Sequence, residues 1–521
     1  VMHSEILSGT VVGGIGAAVA DYPDNPAVVD DAQSLSYSEL WRESARIAHG
    51  LRARGVGAGQ VVALAAERSA SLLVGLVGIL RAGAAVLPLD VTYPQARLRM
   101  MVDDSGAAVV VGHAHTVAPF VSDGREAFVI PKVFEGGNDL PTDPLVEPDP
   151  ANGCCLLYTS GSTGRPKGML MPHSGLANLV RWQASASVSG PGSRTLQYGA
   201  ISFDVAMQEI FATLISGGTL VCIDDTTRRN PVLTWDLIIR AEINRIFMPY
   251  VGLQSLVMVA DEVDLDAVRL REIIPAGEQL QCTNALRALL KKLPECRLFQ
   301  QYGPSEAHTV INHPLADDPD EWPPLPPIGI PIPGNRAYVL DDAGHELAPG
   351  EIGELYIAGA QLSFGYWRQP GLTAARFLPA PDGVGERMYR TGDLARRRED
   401  GTIDHLGRAD SQVKIRGFRV ELGEVESALS NYPEVNACGV TPAGSEGIDL
   451  ILVAFVVADT GIDTSAIRES LRATLPQHMV PAVLHVVDAL PQVPSGKLDR
   501  RRLRLLAETS MTAGDSDRVR A

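Results

Sequence analysis

The chain has 521 residues, 45% of them apolar, which is too long for one core and implies roughly two to four structural units of an ordinary globular protein. Its 45 basic and 62 acidic residues leave a net charge of −17, which argues against nucleic acid or anionic membranes as general partners. There is no apolar run of about 18 residues and no basic-then-apolar leader pattern at the start, so the expectation is a cytoplasmic protein with no membrane association.

In chain order, short β runs alternate with helical patterns over 27–29, 38–54, 61–66, 69–81, 97–104 and 108–111. Repeated βα units imply a mostly parallel sheet wrapped by helices, so the fold class is α/β. Ser38 and Ser69 stand where helix caps are expected. The proline- and acid-rich PTDPLVEPDP (141–150) reads as a loop. Alternation resumes with helices at 176–184, 205–215 and 235–242 and strands at 194–197, 220–223 and 245–248, which gives two sequential α/β halves. After EWPPLPPIGIPIPG, the hairpin-like segments 337–340 and 353–358 indicate a β-rich subdomain closing a large domain of residues 1–409. A small α+β domain is expected from 410 to 521, with VKIRGFRV, then 423–431, 450–457, 465–475 and 483–487, and a polar, disordered tail from about 508.

Six scattered cysteines (154, 155, 222, 282, 296, 438) show no CxxC spacing and read as reduced core residues. The eleven histidines form no HExxH or other clustered ligand set.

The densest chemical signal is YTSGSTGRPKG, 158–168. Its glycines let backbone N–H groups approach an anion, its hydroxyls add donors and Lys167 adds charge, so a nucleotide triphosphate is the natural guest. It is not a Walker A loop: from Gly161 the second glycine would fall at Pro166, and no Lys-Ser pair follows. Taken alone, such a run is more often a solvated loop, and other stretches must decide.

Those stretches are LSYSEL (35–40), LRAGAAVLPLD (80–90), LLYTSGSTGRPKG (156–168), FDVA (203–206), QYGPSE (301–306), GELYIAG (353–359), YRTGDL (389–394), GRADSQVKIRGFRVELGEVE (407–426), LPQHMVP (475–481) and PSGKLDR (494–500). Over nearly its whole length the chain thus resembles the ANL adenylate-forming superfamily, and within it the adenylation domains of nonribosomal peptide synthetases. The resemblance implies a large N-terminal domain with two doubly wound α/β subdomains and a β-rich subdomain, followed by a small mobile α+β domain. The activity it implies is ATP- and Mg²⁺-dependent ligation: adenylation of an acid with release of pyrophosphate, then thioester transfer to phosphopantetheine on a peptidyl carrier protein in natural-product (antibiotic) biosynthesis.

Joining a carboxylate to the α-phosphorus of ATP brings two anions together and needs no enzyme nucleophile, so positioning and charge neutralisation carry the chemistry. By the resemblance, Thr159, Ser160, Gly161, Ser162, Thr163, Gly164 and Lys167 hold phosphates and Glu306 holds Mg²⁺. Asp393 takes the ribose hydroxyls, Tyr302 stacks on adenine, and Arg408 contacts ribose or phosphate. Gly277, Glu278, Gln300, Gly303, Ser305 and His405 complete the nucleotide set; His405 and Gln300 depart from the Tyr and Asn frequent there. Lys497 enters from the small domain to bridge substrate carboxylate and nucleotide, and with Thr159, Glu306 and Arg408 makes up the catalytic set. Asp410 matches the hinge, Lys414 lies on the face that serves thiol transfer, and Gly417 lines the approach of the thiol. Outside this context Asp393 would be a turn residue, Glu306 a helix-start acid and Tyr302 a core residue.

Asp204 matches the carboxylate that pairs with a substrate α-amino group, which points to an α-amino acid. The family's alignment makes the pocket Asp204, Val205, Gln208, Tyr250, Ile274, Ala276, Gln301, Thr309 and Val310, with Lys497 as final member. This set resembles prolyl-activating pockets, apart from Gln301 and Thr309 where His and Val are frequent, so L-proline is the expected substrate. Methylproline, pipecolate or another small amino acid is the alternative, since a methylene discriminates by only about 1 to 3 kcal/mol. With no condensation motif before it and no carrier attachment site after it, the chain reads as a freestanding L-prolyl-AMP ligase serving a carrier protein in trans, with an excised module as rival. Further alternatives are an acyl-CoA ligase and, in another class, an inactive nucleotide-binding scaffold.

Overall fold

In a computed structural model, residues 9–134, 145, 147–161, 165–381, 386–409, 412–444, 450–458, 462–492 and 498–513 are described. The chain divides into two compact units. The first comprises Val1–Val91, Val102–Leu157 and Gly168–Ala409; the second comprises Thr92–Met101, Tyr158–Lys167 and Asp410–Ala521.

The first unit contains three sheets. One runs in the order Glu126–Val129, Val109–Gly112, Val61–Ala65, Ala85–Leu89, Gly153–Thr159, Lys167–Pro172, parallel across its first five strands. Helix Ala70–Arg81 is apolar on all sides and buried along its whole length, as expected of a helix enclosed by a core rather than lying on it. It packs against helix Tyr37–Arg52 so closely that a Cβ on Gly78 would lie 2.6 Å from the Cβ of Ile47. Ser69 caps Ala70–Arg81 as expected. At Tyr37–Arg52 the cap is Ser36 rather than Ser38: Ser36 accepts the N–H of Glu39 while Glu39 accepts the N–H of Ser36, a reciprocal capping box.

The second sheet has nine strands, with Arg297–Tyr302, Glu272–Pro275, Arg245–Met248, Arg194–Gln197, Thr219–Cys222 and Pro26–Val29 as its parallel centre. The halves are therefore not strictly sequential: Pro26–Val29 leaves its neighbours in sequence and pairs with Thr219–Cys222. The buried hydroxyl of Tyr37 fastens this crossing by donating to the Gly218 carbonyl at 2.8 Å and the Leu214 carbonyl at 3.0 Å. Beneath the centre lies a buried polar network. Arg245 donates to Thr195 (3.0 Å), Thr213 (2.7 Å) and Ser187 (3.1 Å), and Ser187 donates to Glu272. Burial pulls the Arg245 guanidinium down to about 10 and raises the Glu272 carboxyl above its ordinary value.

The third sheet is antiparallel, built from Asn335–Leu340, Ile352–Gly359, Arg387–Arg397, Phe377–Pro379 and Ile403–Arg408, as the hairpin texture implies.

In the second unit, Val413–Ile415 and Phe418–Val420 form a hairpin whose two turn residues, Arg416 (φ 51°) and Gly417 (φ 81°), are both left-handed, matching the twist of the strands. Val435–Ala443, Ile451–Ala458 and Val483–Val486 make a sheet flanked by Leu422–Ser430 and Thr464–Thr474. Order extends beyond position 508: helix Arg500–Ala513 continues past it because Leu503 and Ala507 are buried against Phe455, and Arg500 pairs with Glu426 at 2.9 Å.

All six cysteines are free; five are buried and Cys438 is half-buried. Among the described residues no helix is long and apolar enough to cross a membrane, and no group of three His, Cys, Asp or Glu is placed to hold a metal ion.

Candidate active site

Three neighbouring parallel strands, Arg245–Met248, Glu272–Pro275 and Arg297–Tyr302, end at the same edge of the nine-stranded sheet, where ligands of open α/β sheets bind. Because side chains alternate along a strand, Phe247, Ile274 and Phe299 share one face, and Val205 of helix Asp204–Ile215 packs on them as an apolar wall. Past the strand ends, Ala276 donates its N–H to the Met248 carbonyl at 3.0 Å. Tyr250 opens helix Tyr250–Met258, donates to the Gln281 carbonyl and accepts from Gln254, both at 3.1 Å; burial pushes its phenol up to about 12. Glu278 follows Gly277 (φ 85°) and accepts the Val251 N–H at 2.9 Å, holding the start of that helix.

Half-buried Asp204 opens helix Asp204–Ile215 and accepts the Val205 N–H at 2.8 Å. One turn on, Gln208 donates to Gln301 (2.9 Å) and accepts from Thr309 (2.9 Å), so three residues expected in one pocket are hydrogen-bonded to one another. Val310 is fully buried beside them, with its N–H on the Tyr302 carbonyl at 3.0 Å. Gln183 also joins this group, although none of the motif stretches above contains it.

The turn after Tyr302 is tight. A Cβ on Gly303 would lie 1.6 Å from the His308 carbonyl oxygen, and His308 itself has φ 53°, an unfavourable conformation for a residue with a side chain. His308 escaped the sequence reading; its imidazole is buried, and burial holds it below the ordinary histidine range. Between Gly303 and His308, in the turn that also carries Ser305, Glu306 is completely buried, with its Oε1 held by the Tyr366 hydroxyl at 2.8 Å.

Asp393 and Arg408 face each other across antiparallel strands of the third sheet. Arg408 Nη1 donates to Asp393 Oδ1 at 2.6 Å and Nη2 to the Thr391 carbonyl at 3.1 Å. The Tyr302 hydroxyl donates to Asp393 Oδ2, and His405 Nε2 lies 3.5 Å from Oδ1. Burial, with the Asp393 carboxylate adding to it, raises the Tyr302 phenol well above its ordinary value. The structure thus gathers four of the expected nucleotide residues, Tyr302, Asp393, His405 and Arg408, into one cluster.

In the second unit, Ser160 donates to the Arg419 carbonyl (2.8 Å) and accepts the Glu421 N–H (3.1 Å), while the Gly161 N–H donates to Glu424 at 3.0 Å. Lys167 Nζ lies 3.4 Å from Glu421. Lys414 sits in the hairpin strand Val413–Ile415, ahead of the turn that contains Gly417. Ser162, Thr163, Gly164, Asp410 and Lys497 lie outside the described residues.

Each unit, taken by itself, carries polar groups suited to a nucleotide. Thr159 Oγ1 and Gln300 Oε1 are buried without a hydrogen-bond partner among the described residues, a costly arrangement that a polar ligand would relieve. At Gly161 a Cβ would come within 1.7 Å of the Arg165 carbonyl oxygen, so only glycine lets the chain pass this close. For a Mg²⁺ ion, Glu306 would supply a hard carboxylate oxygen of the kind such an ion takes.

Residues 16–367 match the family model described as AMP-binding enzyme, and residues 424–497 match the AMP-binding enzyme C-terminal domain. The chain belongs to the AMP-binding enzyme family, the adenylate-forming ligases. Among curated relatives it is 37% identical over 494 residues to tyrocidine synthase 2 of Brevibacillus parabrevis, covering 95% of this chain and 14% of that protein. It is 36% identical over 483 residues to gramicidin S synthase 2 of Brevibacillus brevis, covering 92% and 11%. The chain therefore spans only a small part of these relatives. Among solved structures, holo-PA1221, a nonribosomal peptide synthetase protein containing adenylation and PCP domains and bound to a vinylsulfonamide inhibitor, superposes with TM-score 0.83 at 28% identity, over 96% of this chain and 85% of that one. The o-succinylbenzoate CoA synthetase of Bacillus subtilis shares the fold, with TM-score 0.80 at 20% identity over 94% and 98%.

Proposed function

We propose that this chain activates an amino acid, L-proline, as its adenylate and passes it to the phosphopantetheine thiol of a carrier protein. In the first step a carboxylate oxygen of the amino acid attacks the α-phosphorus of ATP and pyrophosphate leaves; in the second, the thiol displaces AMP to give a thioester. The observation that carries the reading is the set of side chains gathered past the strand ends. Half-buried Asp204 stands at one side as partner for an ammonium, beside the apolar wall of Val205 and Ile274 and the internally bonded Gln208, Gln301 and Thr309. Tyr250 lies past the same strand ends, and no cation among these residues would meet a side-chain acid.

Thr159, Gly161 and Lys167 would take phosphate oxygens, the Asp393–Arg408 pair the ribose, and Glu306 a Mg²⁺ ion that screens the polyphosphate. Lys497 would neutralise the acyl-phosphate oxygens. The test is ATP–pyrophosphate exchange across proline, 4-methylproline, pipecolate, valine, acetate and benzoate, followed by loading of a carrier protein supplied as a separate chain. Proline should lead. A preference for valine overturns the proline assignment, a preference for acetate or benzoate with transfer to coenzyme A overturns amino-acid activation, and no exchange with any acid leaves only a nucleotide-binding scaffold.

A further inference from the structure

Gln183 lies on helix His173–Ala186, which packs against helix Asp204–Ile215, and is only 3% exposed. Its Oε1 accepts two N–H groups, from Gln208 Nε2 at 2.7 Å and from Gln301 Nε2 at 2.8 Å. Gln208 Nε2 gives its other hydrogen to Gln301 Oε1 at 2.9 Å, and Gln208 Oε1 accepts the Thr309 hydroxyl at 2.9 Å. The three amides, all buried, thus form a closed ring of hydrogen bonds, to which the buried Thr309 hydroxyl adds one donor from outside.

An amide has one accepting and one donating end, so the ring fixes more than position. Turning Gln208 about its last bond would set its oxygen against the Gln183 oxygen and its NH₂ against the Thr309 hydroxyl; turning Gln301 would set its NH₂ against that of Gln208. With the Gln183 oxygen facing both, neither amide can turn alone without setting like ends together; only all three turning at once keeps the pairing. As arranged, both hydrogens of Gln208 Nε2 and the oxygens of Gln208 and Gln301 are engaged by these four side chains, so the polar side of the pocket bonds to itself. A side chain meeting it gains little from a hydroxyl or amide of its own, and a longer one must break the ring and leave buried polar atoms unpaired.

We infer that Gln183 is a positioning residue for substrate selection: by locking the Gln208 and Gln301 amides it restricts the site to amino acids with a compact hydrocarbon side chain or ring. This rests on the reading of residues 204–310 as the amino-acid pocket. Gln183 touches no substrate itself; it acts through its two amide neighbours.

The test is pyrophosphate exchange by the full chain with proline, pipecolate and glutamine, comparing Gln183→Met, which keeps volume but lacks the oxygen, with Gln183→Glu, which keeps an oxygen able to accept both N–H groups. Gln183→Met should raise the KM for proline about tenfold and lower the proline-to-pipecolate ratio of kcat/KM about fivefold, with the KM for ATP unchanged; Gln183→Glu should restore most of both. If Gln183→Met leaves ratio and KM as in wild type, if the KM values for ATP and proline rise together, or if Gln183→Glu behaves like Gln183→Met, the inference is overturned. Should Gln183→Met fail to fold, Thr309→Val removes the donor that holds the Gln208 oxygen and must shift the same ratio, or the inference fails. A wild-type chain with no amino-acid-dependent exchange overturns the functional reading and this inference with it, whereas an active wild type with an indifferent Gln183 overturns only the latter.

Discussion

Asp393 and Arg408 occupy directly opposed positions on neighbouring antiparallel strands, and Arg408 Nη1 reaches Asp393 Oδ1 at 2.6 Å. The β-register itself brings the carboxylate and the guanidinium together, and Tyr302 closes on the carboxylate from the nine-stranded sheet. Asp393→Asn keeps the shape and removes the charge. It should raise the KM for ATP and slow exchange by about a hundredfold, read in ATP saturation curves. Arg408→Lys keeps the charge but loses the second arm to the Thr391 carbonyl, and should cost about tenfold in the same assay.

At Asp204 the expected signature is a split. Asp204→Ala removes the only acid proposed to meet the substrate ammonium, so the KM for proline should rise about a hundredfold while the KM for ATP stays within about twofold. Parallel losses in both would mark Asp204 as structural.

Lys497→Ala should cut adenylate formation from ATP and proline by at least about a hundredfold while leaving thioester formation from added prolyl adenylate nearly intact. Stopped assays of the two half-reactions separate these effects; equal losses would contradict the assigned role.

The buried Arg245 network should reveal itself in stability. Arg245→Met leaves the Glu272 carboxyl without the guanidinium that Ser187 bridges to it, and should destabilise the large unit by about 3 to 5 kcal/mol in urea denaturation.

Stability should also fall in mild acid through His173, the fully buried first residue of its helix, whose imidazole is lowered by burial from 6.5 to about 4. Below pH 6.5 the unfolded chain binds a proton that the folded chain refuses until about pH 4, so folding weakens as pH falls through that window. The slope is about 1.4 kcal/mol per pH unit, about 3 kcal/mol in all. The difference between wild type and His173→Leu, followed by urea midpoints from pH 7 to 4, should show it.

Strands whose partners lie next in the βα order were legible, and Arg194–Gln197 and Arg245–Met248 fall where their apolar runs place them. Pro26–Val29 was legible as a strand but not as a member of the second sheet, because its partner Thr219–Cys222 lies far along the chain and no local pattern encodes that pairing. The cap at Ser36 required seeing its Glu39 reciprocity instead of the nearest serine to the apolar stripe. Helix Arg500–Ala513 looks polar because, among its described side chains, only Leu503 and Ala507 are fully buried. The motif-borne residues were legible by resemblance, whereas Gln183 and His308 were not: one acts through two other side chains, the other through its backbone.

The clash a Cβ would make at Gly303 has a practical reading for anyone wishing to retarget this ligase. The carbonyl in the way belongs to His308, whose next two neighbours, Thr309 and Val310, are assigned to the amino-acid side, while Glu306 a little upstream is assigned to the nucleotide side. One added carbon would therefore disturb both halves of recognition together, so redesign of acid choice should work around this turn and never through it.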